Sequence, residues 1–290
     1  MTKDELLIAL QKEVEQYNKF TATDNGDWIV KGFIDIYKNV YTISIDTKVV
    51  SKVMEILLIP AFERFAQKNG LKLELPPQQN FYPDLTFTCN KTGVRFAVDI
   101  KSTYRENENY IKNSMTLGTY SGYFRDRNSI NKCHYPYSEY SAHLVLGVIY
   151  TQIEVSPDQK AIFTIDDIEK IESVVKDFKF FVQPKYKIAS DIPGSGNTKN
   201  IGSLKEIEKL INGDGVFAKL GEAIFDDYWI FYLNKDMASK TGLPRPYNNL
   251  KSYLEYKQRG INILEEHKDE IEKLNAEDDL QTGNGDESDD

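Results

Sequence analysis

Two acids and a lysine interrupt segments that otherwise read as apolar strands. Asp84 lies in NFYPDLTF (80–87), and Asp99 and Lys101 lie in RFAVDIKS (95–102). Side chains alternate faces along a strand, so Phe96, Val98 and Ile100 share the face expected to meet the core, and Asp99 and Lys101 share the other. The segments flank NKTG (90–93), with Asn first and Gly last, a favourable order for a type I turn. A two-residue loop at Lys91-Thr92 pairs positions summing to 183 and sets Asp84 opposite Asp99, whereas a bulge at Gly93 shifts the pairing by one. Either register makes the two carboxylates neighbours. Like charges placed opposite one another destabilise a sheet, and a divalent cation offsets the repulsion. Mg²⁺ is commonly held by one or two carboxylates, with water and phosphate oxygens completing its shell. Such an ion lowers the pKa of bound water and stabilises charge on a phosphate in flight. A lysine beside it can orient the water and balance developing negative charge. The same spacing also fits an exposed strand face on which Lys101 pairs with Asp99 for little gain.

The elements that must position these residues are legible around them. Leu6, Leu7, Leu10, Val14 and Tyr17 recur at helical spacing over residues 2–17, with Thr2 and Glu5 as a capping box. A longer helix is predicted from Asp46, its N-cap, to Gly70, its stop, with Pro60 expected to kink or divide it. Strands are predicted at 84–89, 94–101, 143–152, 161–165 and 178–183. A short helix is predicted at 203–213 with a Ser203/Glu206 capping box, and a last helix over 248–275. This mixed order argues for an α/β or α+β domain with a mixed central sheet flanked by helices. Residues 1–264 read as a single domain and 265–290 as an acidic helix end and disordered tail.

The net charge of −9 argues at first against nucleic acid, but it is unevenly spread. Twelve acids and two lysines lie between Glu265 and Asp290, which leaves 33 acids against 34 bases in the body of the chain. The body is therefore near neutral, and the acidity belongs to the tail. No apolar run is long enough to span a membrane, so no membrane partner is expected. The N-terminal stretch reads as an amphipathic helix rather than a signal peptide. Cys89 and Cys133 make no disulfide framework and no zinc spacing, and they fit a reducing cytoplasm. His134, His143 and His267 show no nucleophile–base or metal spacing, and His143, at the start of an apolar strand, reads as structural. The loop FRDRNSINK (124–132) carries Arg125, Arg127 and Lys132 and reads equally as DNA-facing or as merely solvated.

YPD followed fifteen residues later by DIK resembles the catalytic signature of the PD-(D/E)xK nucleases. The stretches SIDTKVVSKVMEI (44–56), PPQQNFYPD (76–84), VDIKSTY (98–104), MTLGTYSGY (115–123), YPYSEYSAH (135–143) and GSGNTKNIGS (194–203) extend the resemblance to its type II restriction endonucleases. They occur in the same order over most of residues 44–203. The first forty residues and those after about 250 resemble that group less. The resemblance implies a restriction-endonuclease-like core with dimerisation and DNA-binding subdomains. It implies that Asp84 and Asp99 hold Mg²⁺, that the Ile100 carbonyl is a further ligand, and that Lys101 activates or positions the attacking water. It implies that Glu55 helps to hold a second metal or a water, although a Glu on an amphipathic helix is otherwise a solvated face residue.

GSGNTKNIG is neither a Walker loop nor GxGxxG, and without the resemblance it reads as a flexible surface loop. The resemblance makes it a recognition loop, in which Gly194, Asn197 and Thr198 read base edges while Ser195 and Gly196 shape the backbone. By the same likeness Gln79 and Asn80 follow the minor groove, Thr103 and Tyr104 bond phosphates, and Thr116 and Ser121 are weaker phosphate candidates. A homodimer is implied, cutting both strands of palindromic double-stranded DNA at GATATC, bluntly, to leave 5′-phosphates. A cognate DNA methyltransferase is implied as functional partner. Two other readings stay open: a nuclease of the same core working in repair or junction cleavage, and a DNA-binding module that does not cut. Discrete plasmid bands distinguish the first from restriction, and binding without cleavage at any Mg²⁺ concentration would mark the second.

Overall fold

The computed structural model describes residues 1–154, 160–194, 199–242 and 245–257. Helix α1 (Lys3–Val14) starts at the expected capping box, in which the Glu5 N–H donates to Thr2 and the Thr2 N–H donates to Glu5. Its buried residues Leu6, Leu10 and Val14 recur at the spacing of one helical face. A single turn, α2 (Asn18–Thr21), leads into β1 (Gly32–Ile34) and β2 (Asn39–Thr42). Helix α3 (Thr47–Asn69) is capped by the Asp46 carboxylate and ends at Gly70 in the left-handed conformation, with φ of 67°. It runs through Pro60 without dividing. Strands β3 (Leu71–Glu74), β4 (Leu85–Cys89), β5 (Arg95–Tyr104), β6 (Thr116–Thr119), β7 (Tyr140–Gln152), β8 (Ile162–Thr164) and β9 (Val175–Pro184) follow. The chain continues through α4 (Lys185–Ile188), β10 (Ala189–Pro193), β11 (Asn200–Ser203), α5 (Ile207–Asn212), α6 (Glu222–Phe231), α7 (Lys235–Thr241) and α8 (Leu250–Tyr256).

The central sheet has the order β3-β4-β5-β7-β9, with β5 and β7 parallel and the other neighbours antiparallel. This is the expected mixed sheet. Helices cover it, and alternate residues of each strand serve a different core. From β5 and β7, Phe96, Val98, Leu144 and Leu146 join the core formed with α1 and α3, where Phe62, Phe65 and Phe87 also pack. Each such aromatic contributes roughly 1.5–3 kcal/mol by burial. Ala97, Val145 and Ile149 point the other way, into a second core with Leu117, Ile201, Phe225 and Trp229. Gly147 of β7 is required by packing, since a Cβ there would lie 2.1 Å from the Phe181 ring. The face bearing Asp99 is therefore not an exposed strand surface, and Asp99 is only 4% exposed.

Two smaller sheets flank this body, β1-β2-β8 and β10-β11-β6. The predicted capping box at Ser203 does not form, because Ser203 belongs to β11. Its hydroxyl donates to the Leu204 carbonyl and accepts from the Met115 N–H. Helix α5 begins instead after Glu206. The predicted last helix is described only as α8; its remainder, with the domain limit at 264 and the acidic tail, lies outside the described residues.

Candidate active site

The β4–β5 hairpin sets the geometry. Leu85 faces Val98, Thr86 faces Ala97 and Phe87 faces Phe96, which is the register summing to 183. Gly93, at φ of 72°, accommodates the turn. Asp84 stands just before β4, so its backbone N–H is free of the ladder and donates to Asp99 Oδ1 at 3.3 Å. Asp84 Oδ2 in turn accepts the Ile100 N–H at 2.7 Å. Lys101 Nζ lies 3.3 Å from Asp84 Oδ2 and 3.3 Å from Asp99 Oδ2. One ammonium thus bridges two carboxylates.

The electrostatics follow from this crowding. Burial, then the charge of Asp99, pushes the Asp84 carboxyl up to about 6, against the pull of Lys101, the Ile100 N–H bond and with a further push from Glu55. Burial works against the Lys101 charge, but Asp99 and Asp84 more than offset it and leave its pKa above the ordinary lysine value. Glu55, on α3, lines the same cavity as Asp84, Ile100 and Gln79, a space of about 160 Å³ also walled by Lys52 and Leu75. Its carboxylate pairs with Lys52 Nζ at 2.6 Å. Among the described residues no three His, Cys, Asp or Glu side chains converge as a ready-made metal cage. Two adjoining carboxylates, one of them lining a cavity, suit a hard cation that keeps much of its shell for water and phosphate, as Mg²⁺ does. The donor set therefore fits such an ion.

The model of the restriction endonuclease EcoRV family matches residues 24–258. The type II restriction enzyme EcoRV of Escherichia coli is 34% identical over 239 residues, covering 82% of this chain and 94% of that enzyme. The chain belongs to the EcoRV family of restriction endonucleases. Among solved structures, the NlaIV restriction endonuclease aligns over 85% of this chain and 94% of its own at 12% identity, with a TM-score of 0.36.

In this EcoRV-family chain the other expected site residues are distributed unevenly. Gln79 and Asn80 are exposed, and Gln79 lines the cavity beside Asp84. Thr116, on β6, is also exposed. Thr103 is buried, and its hydroxyl donates to the Asn113 carbonyl at 3.1 Å, so its polar group is already used inside the fold. Tyr104 is half-buried, with its ring centroid 6.3 Å from that of Tyr150. The Ser121 hydroxyl is paired with Thr119 Oγ1 at 2.8 Å. Gly194 closes β10 against β11, where its N–H donates to the Asn200 carbonyl. A Cβ on Gly202 would come within 2.8 Å of the Gly194 Cα, so this pair lets the two strands approach closely at the base of the loop. Ser195, Gly196, Asn197 and Thr198 lie outside the described residues.

The two arginines of FRDRNSINK are turned inward. Arg125 donates to the Tyr232 carbonyl, and Arg127 pairs with Asp226 at 2.8 Å and stacks over Phe124 and Tyr137. These contacts fasten the loop to α6 and its C-terminal flank, which sequence spacing could not show because the partners are about a hundred residues away. His143 is structural, as expected. It stacks on Tyr137, its Nδ1 is 2.7 Å from the Tyr82 hydroxyl, and burial holds its pKa well below the usual imidazole value. Lys185, which no sequence pattern marked, lies buried near Asp99.

Proposed function

We propose that this type II restriction endonuclease hydrolyses double-stranded DNA with Mg²⁺ held by Asp84 and Asp99, the Ile100 carbonyl supplying a further oxygen and Glu55 holding a second ion or a water at the cavity edge. The observation that carries this reading is the pair of neighbouring carboxylates bridged by Lys101, with Asp84 lining a cavity, in a chain whose family cleaves DNA. When bound, Mg²⁺ would supply charge stabilisation for the phosphate oxygens and lower the pKa of its water. The residues of the chain do the rest. Asp84 is fixed by the Ile100 N–H and Asp99 by the fold around it, so both are oriented before substrate arrives. Lys101 stays protonated, and its Nζ can hold the attacking water by hydrogen bond and offset charge developing on the phosphate. In-line attack then leaves a 5′-phosphate and a 3′-hydroxyl.

The target proposed is GATATC, cut bluntly at its centre, with Gly194, Asn197 and Thr198 reading base edges on a loop shaped by Ser195 and Gly196. Gln79 and Asn80 would follow the minor groove, and Tyr104 and Thr116 would meet phosphates. These roles rest on the likeness of their stretches to the family, and for Gln79 also on its place in the cavity. Thr103 would need to give up its bond to Asn113 to serve in the same way.

A palindrome read by a two-fold dimer has both strands cut by two identical sites. The β1-β2-β8 sheet supports a dimer. Phe33 faces Tyr41 and Tyr41 faces Ile162 across neighbouring strands, and all three are exposed. A row of large apolar side chains in water is a characteristic of an interaction surface. A cytoplasmic enzyme of this kind requires a DNA methyltransferase of the same specificity to protect host DNA. Among the described residues no helix is long and apolar enough to cross a membrane. The test is a plasmid digest with Mg²⁺ followed by sequencing of the ends. Blunt ends within GATATC are expected; cleavage at unrelated sites, or selected by DNA structure, would overturn the specificity.

A further inference from the structure

Lys185 is 2% exposed, and its Nζ has no hydrogen-bond partner among the described residues. A buried, unpaired ammonium costs several kcal/mol unless another charge or an aromatic face compensates it. The compensation here is aromatic on one side. Nζ sits 4.6 Å from the centroid of the Tyr82 ring and 5.2 Å from that of Tyr137. These rings stack with Tyr123, and the backbone of Gly118, where a Cβ would lie 3.7 Å from Nζ, closes the cage. On the other side the compensation is electrostatic. Burial pushes the Lys185 ammonium down to about 8, and the strongest opposing pull comes from Asp99. Tyr82, whose ring lies under Lys185, is two residues before Asp84 in the chain. Asp99 lies opposite Val145, and Val145 opposite Gln183, two residues before Lys185, so Asp99 has Lys101 in direct contact and a second cation nearby in the protein interior.

We propose that Lys185 is a positioning residue of the active site, an interior counter-cation that acts on the Asp99 carboxylate before a divalent ion arrives and opposes that ion once it is bound. This rests on the reading of Asp84 and Asp99 as a cation site. It explains how the buried Asp99 can be kept beside Asp84, and why the cage is aromatic. Tyrosine faces stabilise the ammonium without neutralising the field it exerts on Asp99.

The experiment is titration of the full-length, DNA-free protein with Mn²⁺ by calorimetry, comparing wild type with Lys185→Met, Lys185→Arg and Asp84→Asn. Methionine keeps an unbranched apolar stem and removes the charge. The methionine variant is expected to bind Mn²⁺ about tenfold more tightly, the effect of removing one like charge near a site. It should also unfold at a lower temperature without metal and regain more stability on adding Mn²⁺ than wild type does. Arginine is expected to restore the wild-type affinity. Unchanged or weaker Mn²⁺ binding by Lys185→Met, with wild-type binding lost in Asp84→Asn, would overturn the role of Lys185 alone. Failure of the wild type to bind Mn²⁺ would overturn the cation-site reading and this inference with it. If Lys185→Met does not fold, Lys185→Met/Asp99→Asn is expected to fold, since the charge to be balanced is gone; failure of the double variant would refute the proposal.

Discussion

Replacing Asp84 by Asn should make the metal-free protein more stable while abolishing cleavage. The folded state carries the Asp84 carboxyl from 3.8 to about 6, chiefly by burial and by the charge of Asp99. A carboxyl whose folded pKa exceeds its unfolded one holds its proton more firmly in the folded state. Ionising it therefore penalises the fold. The penalty is absent below about pH 4, grows as pH rises toward about 6, and is complete above that. Its size is roughly 3 kcal/mol at about 1.4 kcal/mol for each tenfold step. Asparagine is nearly isosteric, removes the charge, and keeps an oxygen to accept the Ile100 N–H. Against the gain stands the weaker interaction of Lys101 with a neutral partner, so the net stabilisation expected near neutral pH is about 1–2 kcal/mol. That corresponds to a rise in Tm of roughly 2–4 °C per kcal/mol for a chain of this size. The assay is thermal or urea unfolding in EDTA at about pH 7.5 and again near pH 4, beside a cleavage assay with Mg²⁺. The stabilising effect should disappear at the lower pH, where wild-type Asp84 is itself protonated. A variant less stable than wild type near neutrality, or one equally stabilised at both pH values, would refute the electrostatic reasoning.

Other outcomes follow from the same structure. Divalent-ion affinity should fall about tenfold for each pH step below about 6 and level off above it, because the ion must displace the Asp84 proton; calorimetry with Mn²⁺ across pH checks this. Glu55→Ala should lower the single-turnover rate by about ten- to a hundredfold, a smaller loss than removal of either aspartate, because Glu55 reaches the cavity from its edge and is already paired with Lys52. Phe33→Glu should shift the chain toward monomer in sedimentation, since it buries a charge in the exposed row shared with Tyr41 and Ile162, and it should convert double-strand cutting to weak nicking. Truncation after Leu264 removes a net charge of −10 and should strengthen non-specific DNA binding at low salt, read from the salt dependence of affinity; unchanged binding would exclude competition by the tail.

The juxtaposition of Asp84 and Asp99 was legible because it rests on local rules. A strand alternates faces, Asn90 to Gly93 specifies a turn, and together they fix Asp84 beside Asp99. The ends of α3 were legible for the same reason, since Asp46 and Gly70 act on their own neighbours. What was hidden depends on distant partners. Nothing in AVDIKS tells that the face bearing Asp99 is covered by a second core, built from β6, β11 and the C-terminal helices. Arg125 and Arg127 read equally as DNA-facing or solvated charges until Tyr232 and Asp226 are placed against them. Ser203 begins a sequence with every mark of a capping box, but strand pairing and the bond to Met115 take precedence over local preference. Lys185, just after Pro184 at the end of β9, carries no local mark of its burial. Only its cage, assembled from Tyr82, Gly118 and Tyr137, shows that it is interior.

Single-turnover cleavage of a GATATC duplex by Asp99→Ala in Mg²⁺, with DNA binding measured in parallel, bears on the whole reading at once. If Asp84, Asp99 and Lys101 carry the hydrolysis, the variant binds the duplex while its cleavage rate drops on the order of a thousandfold or more. Cleavage at the wild-type rate by Asp99→Ala would show that the chemistry lies elsewhere in the chain.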